Sequence, residues 1–277
     1  MNSFIKKALA ITALLAMTVV AAGCGSSTDN AKSDSASQEK KEVTLGVTPG
    51  VQADIAEQVK KEAAKQGITI KLMEFSDYVT PDVALSNKEI DMNSYQHKPY
   101  LDNLVNEKGL NITSIGTTIV APMGLYSHKI KSLDEVKDGD TVAVPNDPTN
   151  GARGLLLLQK AGLIKIKDGV KYPTVTDITE NPKNLKIQEL EAAQIPRSLD
   201  DVTFAAVNTN YAMEAKMDPV KDAILREDKD TPYANIIAVN KDDQDNPTYK
   251  KIVEIYQSDV IKQYIEEHYK GALIPAF

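Results

Sequence analysis

Apolar residues along this chain follow two rhythms that alternate from one segment to the next. In Val43-Thr-Leu-Gly-Val47 every second side chain is apolar until Pro49-Gly50 ends the run, the period of a strand with a buried face. From Val51 the spacing lengthens: Val51, Ile55, Val59 and Ala63 recur every four residues, the stripe of an amphipathic helix, and Gly67 supplies a stop. Ile68, Ile70 and Leu72 then return to strand period. A strand, a helix and a strand in this order predict a parallel βαβ unit. Further on, the pattern predicts helices over Val79–Lys88 and Pro99–Lys108, the second stopped by Gly109. It predicts strands at Ile115–Val120, Thr141–Val144, Leu185–Leu190, Val202–Val207 and Tyr233–Val239. A helix over Asn150–Ala161 is expected to pack through Leu155–Leu158, and a single helix over Lys250–Tyr269 to close the chain. No internal repeat interrupts the alternation. The fold class is α/β.

The first residues follow neither rhythm. Lys6 and Lys7 precede the apolar run Ala8–Ala22, and the small residues Ala21-Ala22-Gly23 lead into Cys24, the only cysteine in the chain. The run is too short and alanine-rich for a spanning helix, so residues 1–23 read as an export signal. Cys24 then stands where a bacterial lipobox carries its lipidated cysteine, with Ala21 where leucine is usual. Residues 24–42 are rich in Ser, Asp, Lys and Ala and hold almost nothing to bury, the composition of a flexible tether. The expected location is extracytoplasmic, at a bacterial membrane, through lipidated Cys24. Beyond the tether, β-rich crossings near Ile115–Tyr126 and Tyr233–Asn240 divide the body into two lobes, residues 43–122 with 237–277 and residues 123–236.

Charge and composition remove several functions. A net charge of −7 argues against nucleic-acid binding, which needs a basic face. No cysteine beyond Cys24 is available for a disulfide or a thiolate metal site, and His97, His128 and His268 lack ligand spacing. With no Gly-x-Ser-x-Gly or His-Glu-x-x-His string, no catalytic set is assembled, which disfavours an exported hydrolase. A metal-capturing lipoprotein and a purely structural one are the other rivals. No catalytic residue, metal or cofactor is expected.

Several strings carry a more specific signal: Ser76-Asp-Tyr-Val79, Asp91-Met-Asn-Ser-Tyr-Gln-His-Lys-Pro-Tyr100 and Val144-Pro-Asn-Asp-Pro-Thr-Asn150 running into Gly151-Ala-Arg-Gly154. Asn181-Pro-Lys-Asn-Leu185, Pro196-Arg-Ser-Leu-Asp200, Ala206-Val-Asn-Thr-Asn-Tyr-Ala212, Pro232-Tyr-Ala-Asn235 and Tyr256-Gln-Ser-Asp259 follow. Together they resemble the methionine-binding lipoproteins of ABC importers, the NlpA/MetQ family, over nearly the whole body. The resemblance implies a two-lobed type II periplasmic-binding-protein fold, monomeric, with ligand in the cleft between lobes. It implies capture of methionine and delivery to the importer's membrane subunits. L-methionine is expected first, then D-methionine, the sulfoxide or a methionine-containing dipeptide.

The residues supply suitable chemistry. Arg153, which standing alone would read as a solvated helix residue, offers a planar guanidinium able to grip both oxygens of a ligand carboxylate. It follows a helix start at which Asn150 reads as a cap or a ligand contact, and free backbone N–H groups there would add to the grip. Asn208 ends an apolar strand, where open α/β sheets bind ligands, and offers a donor and an acceptor to a zwitterion. Asn210 looks more like the cap of the next helix. Tyr78, Tyr95 and His97 are expected to wall a thioether pocket, although the family commonly has Phe where Tyr95 stands. Tyr126, Asn146 and Tyr233 are further pocket candidates, and His128 and His268 are expected at the surface. On this reading Arg153→Ala removes ligand-induced stabilisation and leaves the fold intact.

Overall fold

The structure is a computed structural model that describes residues 41–277. The expected signal (1–23), Cys24 and nearly all of the tether lie outside the described residues; of the tether's last two, Glu42 already pairs in a strand. That strand, β1 (Glu42–Val47), runs parallel to β2 (Thr69–Glu74) through α1 (Val51–Ala64), the βαβ unit expected from the pattern. The chain continues through α2 (Thr80–Ser86), β3 (Met92–His97), α3 (Lys98–Lys108) and β4 (Ile112–Val120). The next stretch holds β5 (Gly124–Tyr126), β6 (Thr141–Pro145), α4 (Pro148–Lys160), β7 (Lys165–Ile166) and β8 (Ile178–Glu180). Then come β9 (Lys186–Leu190), α5 (Ile195–Ser198), β10 (Phe204–Val207), α6 (Thr209–Glu214) and β11 (Leu225–Arg226). The chain closes with β12 (Ala234–Asn240), α7 (Pro247–Tyr256), α8 (Asp259–Tyr269) and β13 (Ile274–Pro275).

These strands form two main sheets, each the centre of one lobe. The first has the order β13-β4-β12-β3-β1-β2 and the second β11-β5-β10-β6-β9, with β7 and β8 as a separate pair. In each sheet the strands nearest one edge are parallel, while β12 and β4, or β5 and β11, join antiparallel. The chain crosses between sheets at residues 121–123 and 227–233. Ala234, Asn235 and Ile236, expected in the second lobe, pair with β3 or β4 in the first sheet.

Each lobe has its own core. Val43, Leu45 and Val47 of β1 pack with Ile55 and Val59 of α1 and with Ile252, Ile261 and Ile265 of α7 and α8. In the second lobe Val142 and Val144 meet Leu155 and Leu158 of α4 and Phe204 of β10. Of the run Leu155–Leu158, Leu156 faces outward, as helix period requires of one residue in four. Two glycines let α4 lie close on its sheet: a Cβ at Gly151 would stand 2.7 Å from the Pro145 carbonyl, and one at Gly154 3.1 Å from Val144. That approach brings Asn150 and Arg153 to the end of β6.

Two expectations change. The single C-terminal helix is two, because Ser258 takes an extended backbone and starts α8, while Gln257 turns aside to donate from Nε2 to the Thr117 carbonyl at 3.0 Å. α7 also starts earlier than expected, where Asn246 accepts from the Thr248 N–H ahead of Pro247. The other change is β3, for which no strand was expected: Met-Asn-Ser-Tyr-Gln-His is buried at every position, so polar side chains stand on both faces and no alternation shows.

Candidate ligand-binding site

A cavity lies where the carboxyl ends of strands from both sheets meet, the place at which open α/β sheets bind ligands. Gln52 follows β1, Tyr78 follows β2, and Tyr95, Gln96 and His97 end β3; across from them Asn150 and Arg153 follow β6, and Asn208, Thr209 and Asn210 follow β10. The cavity thus gathers all six residues named first from the sequence: Tyr78, Tyr95, His97, Asn150, Arg153 and Asn208. Tyr126 does not line it; its side chain packs in the second lobe with Val207 and Tyr211. Asn146 is exposed on the turn before α4. Tyr233 stands on the other side of Arg153, its ring 4.4 Å from the guanidinium carbon and 5.1 Å from the His97 ring. Gln52, Gln96, Tyr100, Asn210 and Asn235 also line the cavity and were not proposed as site residues. Asn235 carries the clearest missed signal, since it follows Tyr233 in the family string at a lobe crossing.

Asn150 is the hub of the arrangement. Its Oδ1 accepts from Arg153 Nη1 at 3.1 Å, Asn208 Nδ2 at 3.0 Å and His97 Nε2 at 3.1 Å, while its Nδ2 donates to both oxygens of Asp147. The helix cap is not Asn150 but Asp147, whose Oδ1 accepts from the N–H groups of Thr149 and Asn150. Those N–H groups are therefore not free for a ligand, as had been expected. Likewise Asn208, not Asn210, stands at the cap position of α6, without using its side chain there. Its Oδ1 is buried with no hydrogen-bond partner among the described residues.

Arg153 is 3 % exposed, and its fork faces away from the expected partner. Nε and Nη2 grip Glu227 at 3.0 and 2.6 Å, and Nη2 also donates to the Ala121 carbonyl at 3.3 Å. Of the five N–H groups of a guanidinium, these bonds and the one to Asn150 leave one, on Nη1. A single N–H does not suffice for the two-point carboxylate grip expected of Arg153 from the sequence. Burial opposes the charge, but the Glu227 carboxylate outweighs it and holds the Arg153 pKa above its ordinary value.

The aromatic wall crosses the cleft. Tyr78 stacks on Tyr211 with centroids 5.0 Å apart and donates to Asn210 Oδ1 at 2.7 Å, while the Tyr211 hydroxyl donates to the Ser76 carbonyl at 3.2 Å. The Tyr95 hydroxyl, the group a phenylalanine would lack, donates to the Tyr78 carbonyl at 2.5 Å. His97 caps α3: its Nδ1 accepts from the Tyr100 N–H at 3.1 Å, which fixes Nε2 as the protonated nitrogen toward Asn150.

Two buried titratable groups beside the cavity have opposite signs. Burial, and then the charge on Arg153, push the His97 pKa down to about 3, so its ring is neutral. Below the ordinary value of 6.5 the unfolded chain takes up a proton that the fold refuses, and stability falls as pH drops toward 3. Asp82 of α2 is buried behind Gln96; its Oδ1 accepts from Asn93 Nδ2 at 2.7 Å and Gln96 Nε2 at 2.5 Å. Burial outweighs those bonds and raises its pKa to about 7 from 3.8. Here the fold keeps a proton the unfolded chain has released, so the contribution of Asp82 is full below 3.8 and is lost as pH rises to about 7. Between about pH 4 and 6.5 the two slopes oppose each other, each approaching 1.4 kcal/mol per unit. Asp82→Asn is therefore expected to lose more stability than the parent between about pH 6 and 4.5. Urea unfolding at both pH values checks this; parallel losses in the two proteins would contradict it.

The sequence profile of the NlpA lipoprotein family matches residues 43–277. The D-methionine-binding lipoprotein MetQ of Salmonella typhi is 47% identical over 272 residues, 97% of each chain. The protein of the same name from Escherichia coli is 50% identical over 236 residues, 84% of this chain and 87% of that one. Among solved structures, a nutrient-binding protein from Burkholderia cenocepacia bound to methionine is similar with a TM-score of 0.83 and 47% identity, over 85% of this chain and 100% of that one. Two lobes with a shared cleft, a profile spanning the whole described body and such relatives place the chain in a family of extracytoplasmic, membrane-anchored solute-binding proteins, not enzymes: it belongs to the NlpA lipoprotein family.

Proposed function

We propose that the chain captures methionine in the cavity between its lobes and delivers it to the membrane subunits of an ABC importer. The observation that carries this reading is that one buried cavity offers a cation with an N–H to give, Arg153, and an acceptor oxygen without a donor, Asn208 Oδ1. A zwitterion supplies the complement of both: its carboxylate to Arg153 and its ammonium to Asn208. The thioether then lies against Tyr78, Tyr95, His97 and Tyr100, where sulfur–aromatic contacts contribute about 0.3–1.5 kcal/mol each. Arg153 and Glu227 together carry no net charge, which suits a ligand that carries none. A ligand of about nine heavy atoms with a ceiling near 1.5 kcal/mol per atom is large enough for sub-micromolar affinity.

On sequence the L enantiomer came first. The names of the relatives carry D-methionine, and that order is reversed here: D-methionine first, L-methionine second, the dipeptide and the sulfoxide behind. The lobes are taken as residues 43–122 with 234–277 and residues 123–233, hinged at the crossings 121–123 and 227–233.

Native mass spectrometry of the purified protein, followed by calorimetry with each enantiomer, tests the reading. Methionine is expected as the co-purifying mass, with D-methionine bound at least as tightly as L. Heat from the L form alone would restore the earlier order, and no binding of either would end the proposal.

A further inference from the structure

The carboxylate that Arg153 grips belongs to Glu227, which the sequence places in the polar run Glu-Asp-Lys-Asp230 and which lies outside the cavity. Glu227 is the first residue of the second lobe crossing, and it is fastened to the first. Its Oε2 accepts from the Met123 N–H at 2.8 Å, and its own N–H donates to the Met123 carbonyl at 2.9 Å. Oε1 and Oε2 then hold Nε and Nη2 of Arg153, while Ala121 on the first crossing takes the remaining Nη2 proton. Tyr233, on the second crossing, covers the guanidinium face.

Both crossings thus bind one edge and one face of the guanidinium, and the only edge left points at Asn150 and the cavity. We infer that Glu227 is a positioning residue for ligand recognition: it anchors Arg153 to the two lobe crossings and aims Nη1 at the ligand's carboxylate. Fixed geometry gives a charged hydrogen bond its strength, and a free guanidinium would have to lose rotamer freedom on binding. The inference rests on the methionine reading given above.

Charge and position make opposite predictions for Glu227→Gln. If Glu227 acted by charge alone, removing a negative group beside Arg153 would tighten binding of a carboxylate. If it acts by position, binding weakens although the site has become more positive. Calorimetry with methionine and with desamino-methionine, the same acid without its ammonium, separates the two. Weakening of both by at least about tenfold is expected, the size of one lost hydrogen bond to a charged group. Nitrogen NMR of the Arg153 side chain gives a second readout: hindered guanidinium rotation in the parent and fast rotation in Glu227→Gln, with unchanged backbone amide exchange in both lobes setting general loosening apart. Glu227→Asp keeps the charge but shortens the reach, and covers the case in which the glutamine variant does not fold; a smaller loss for both ligands is expected. Equal or tighter binding in the variants, or unchanged guanidinium rotation, overturns the inference while the methionine reading stands. A parent protein that binds neither ligand overturns that reading, and the inference with it.

Discussion

Replacing Arg153 with alanine should cost the protein both its ligand and a good part of its stability. Among the described residues the cavity loses the one cation that faces it, and truncating one partner of a buried, hydrogen-bonded charge pair typically costs about 2–5 kcal/mol of binding, so Kd should rise by roughly thirtyfold to several thousandfold. From sequence alone the fold was expected to survive unchanged. The structure alters that expectation, because the side chain of Glu227 is only 12% exposed and would be left with little beyond the Met123 N–H to meet it. Breaking a buried pair from one side costs on the order of 3–5 kcal/mol, whereas replacing both partners by apolar residues is often neutral. Arg153→Ala should therefore unfold at clearly lower urea, and Arg153→Met with Glu227→Leu should recover most of that stability without recovering any binding. Urea unfolding and calorimetry on the two variants decide it. A single variant as stable as the parent would mean that Glu227 finds another partner, and a double variant that still binds methionine would remove Arg153 from the site.

What the sequence could and could not reveal follows from the range of the interactions. β1, α1, β2 and α4 were legible because a periodic face meets a single core, so the pattern records the burial directly. β3 was not, because it is buried among polar neighbours on both sides: Asn93 and Gln96 bond to Asp82 and His97 bonds to Asn150, contacts made with other elements. Strands that carry sites break the pattern that identifies ordinary strands. That six residues would share one cavity was legible through the strings that contain them, but the partner of each was not. Arg153 was read as free because Glu227 lies 74 positions away among residues that look like a solvated charge run. Asn150 was read as a cap or a ligand contact because Asp147 and Asn150 both suit the cap, and only the folded chain decides which carboxyl or amide oxygen faces the first turn. Tyr126 and Asn146 had the chemistry of a pocket and not its position.

Asn150 shows how far a single amide governs this site. Asn150→Ala would leave the buried His97 Nε2, Arg153 Nη1 and Asn208 Nδ2 without their shared acceptor, and Asp147 without one donor. Each buried group left unsatisfied costs about 1–3 kcal/mol, so a loss of several kcal/mol in stability is expected, with methionine binding lost at the same time. Asn150→Asp distinguishes acceptor from donor. The new carboxylate would accept from the same three groups, more strongly than an amide does, but would face the Asp147 carboxylate where Nδ2 now donates. It would also favour the protonated form of His97, raising a pKa that now lies at about 3. The aspartate variant should thus be the more stable of the two in mild acid, where His97 protonation relieves the added charge, and lose that advantage as pH rises. Histidine NMR followed from about pH 4 to 8 reads the titration, and urea unfolding across the same range reads the stability. If alanine and aspartate behaved alike at every pH, the three donors would not depend on the Asn150 oxygen, and the convergence of both lobes on this one atom would have no energetic meaning.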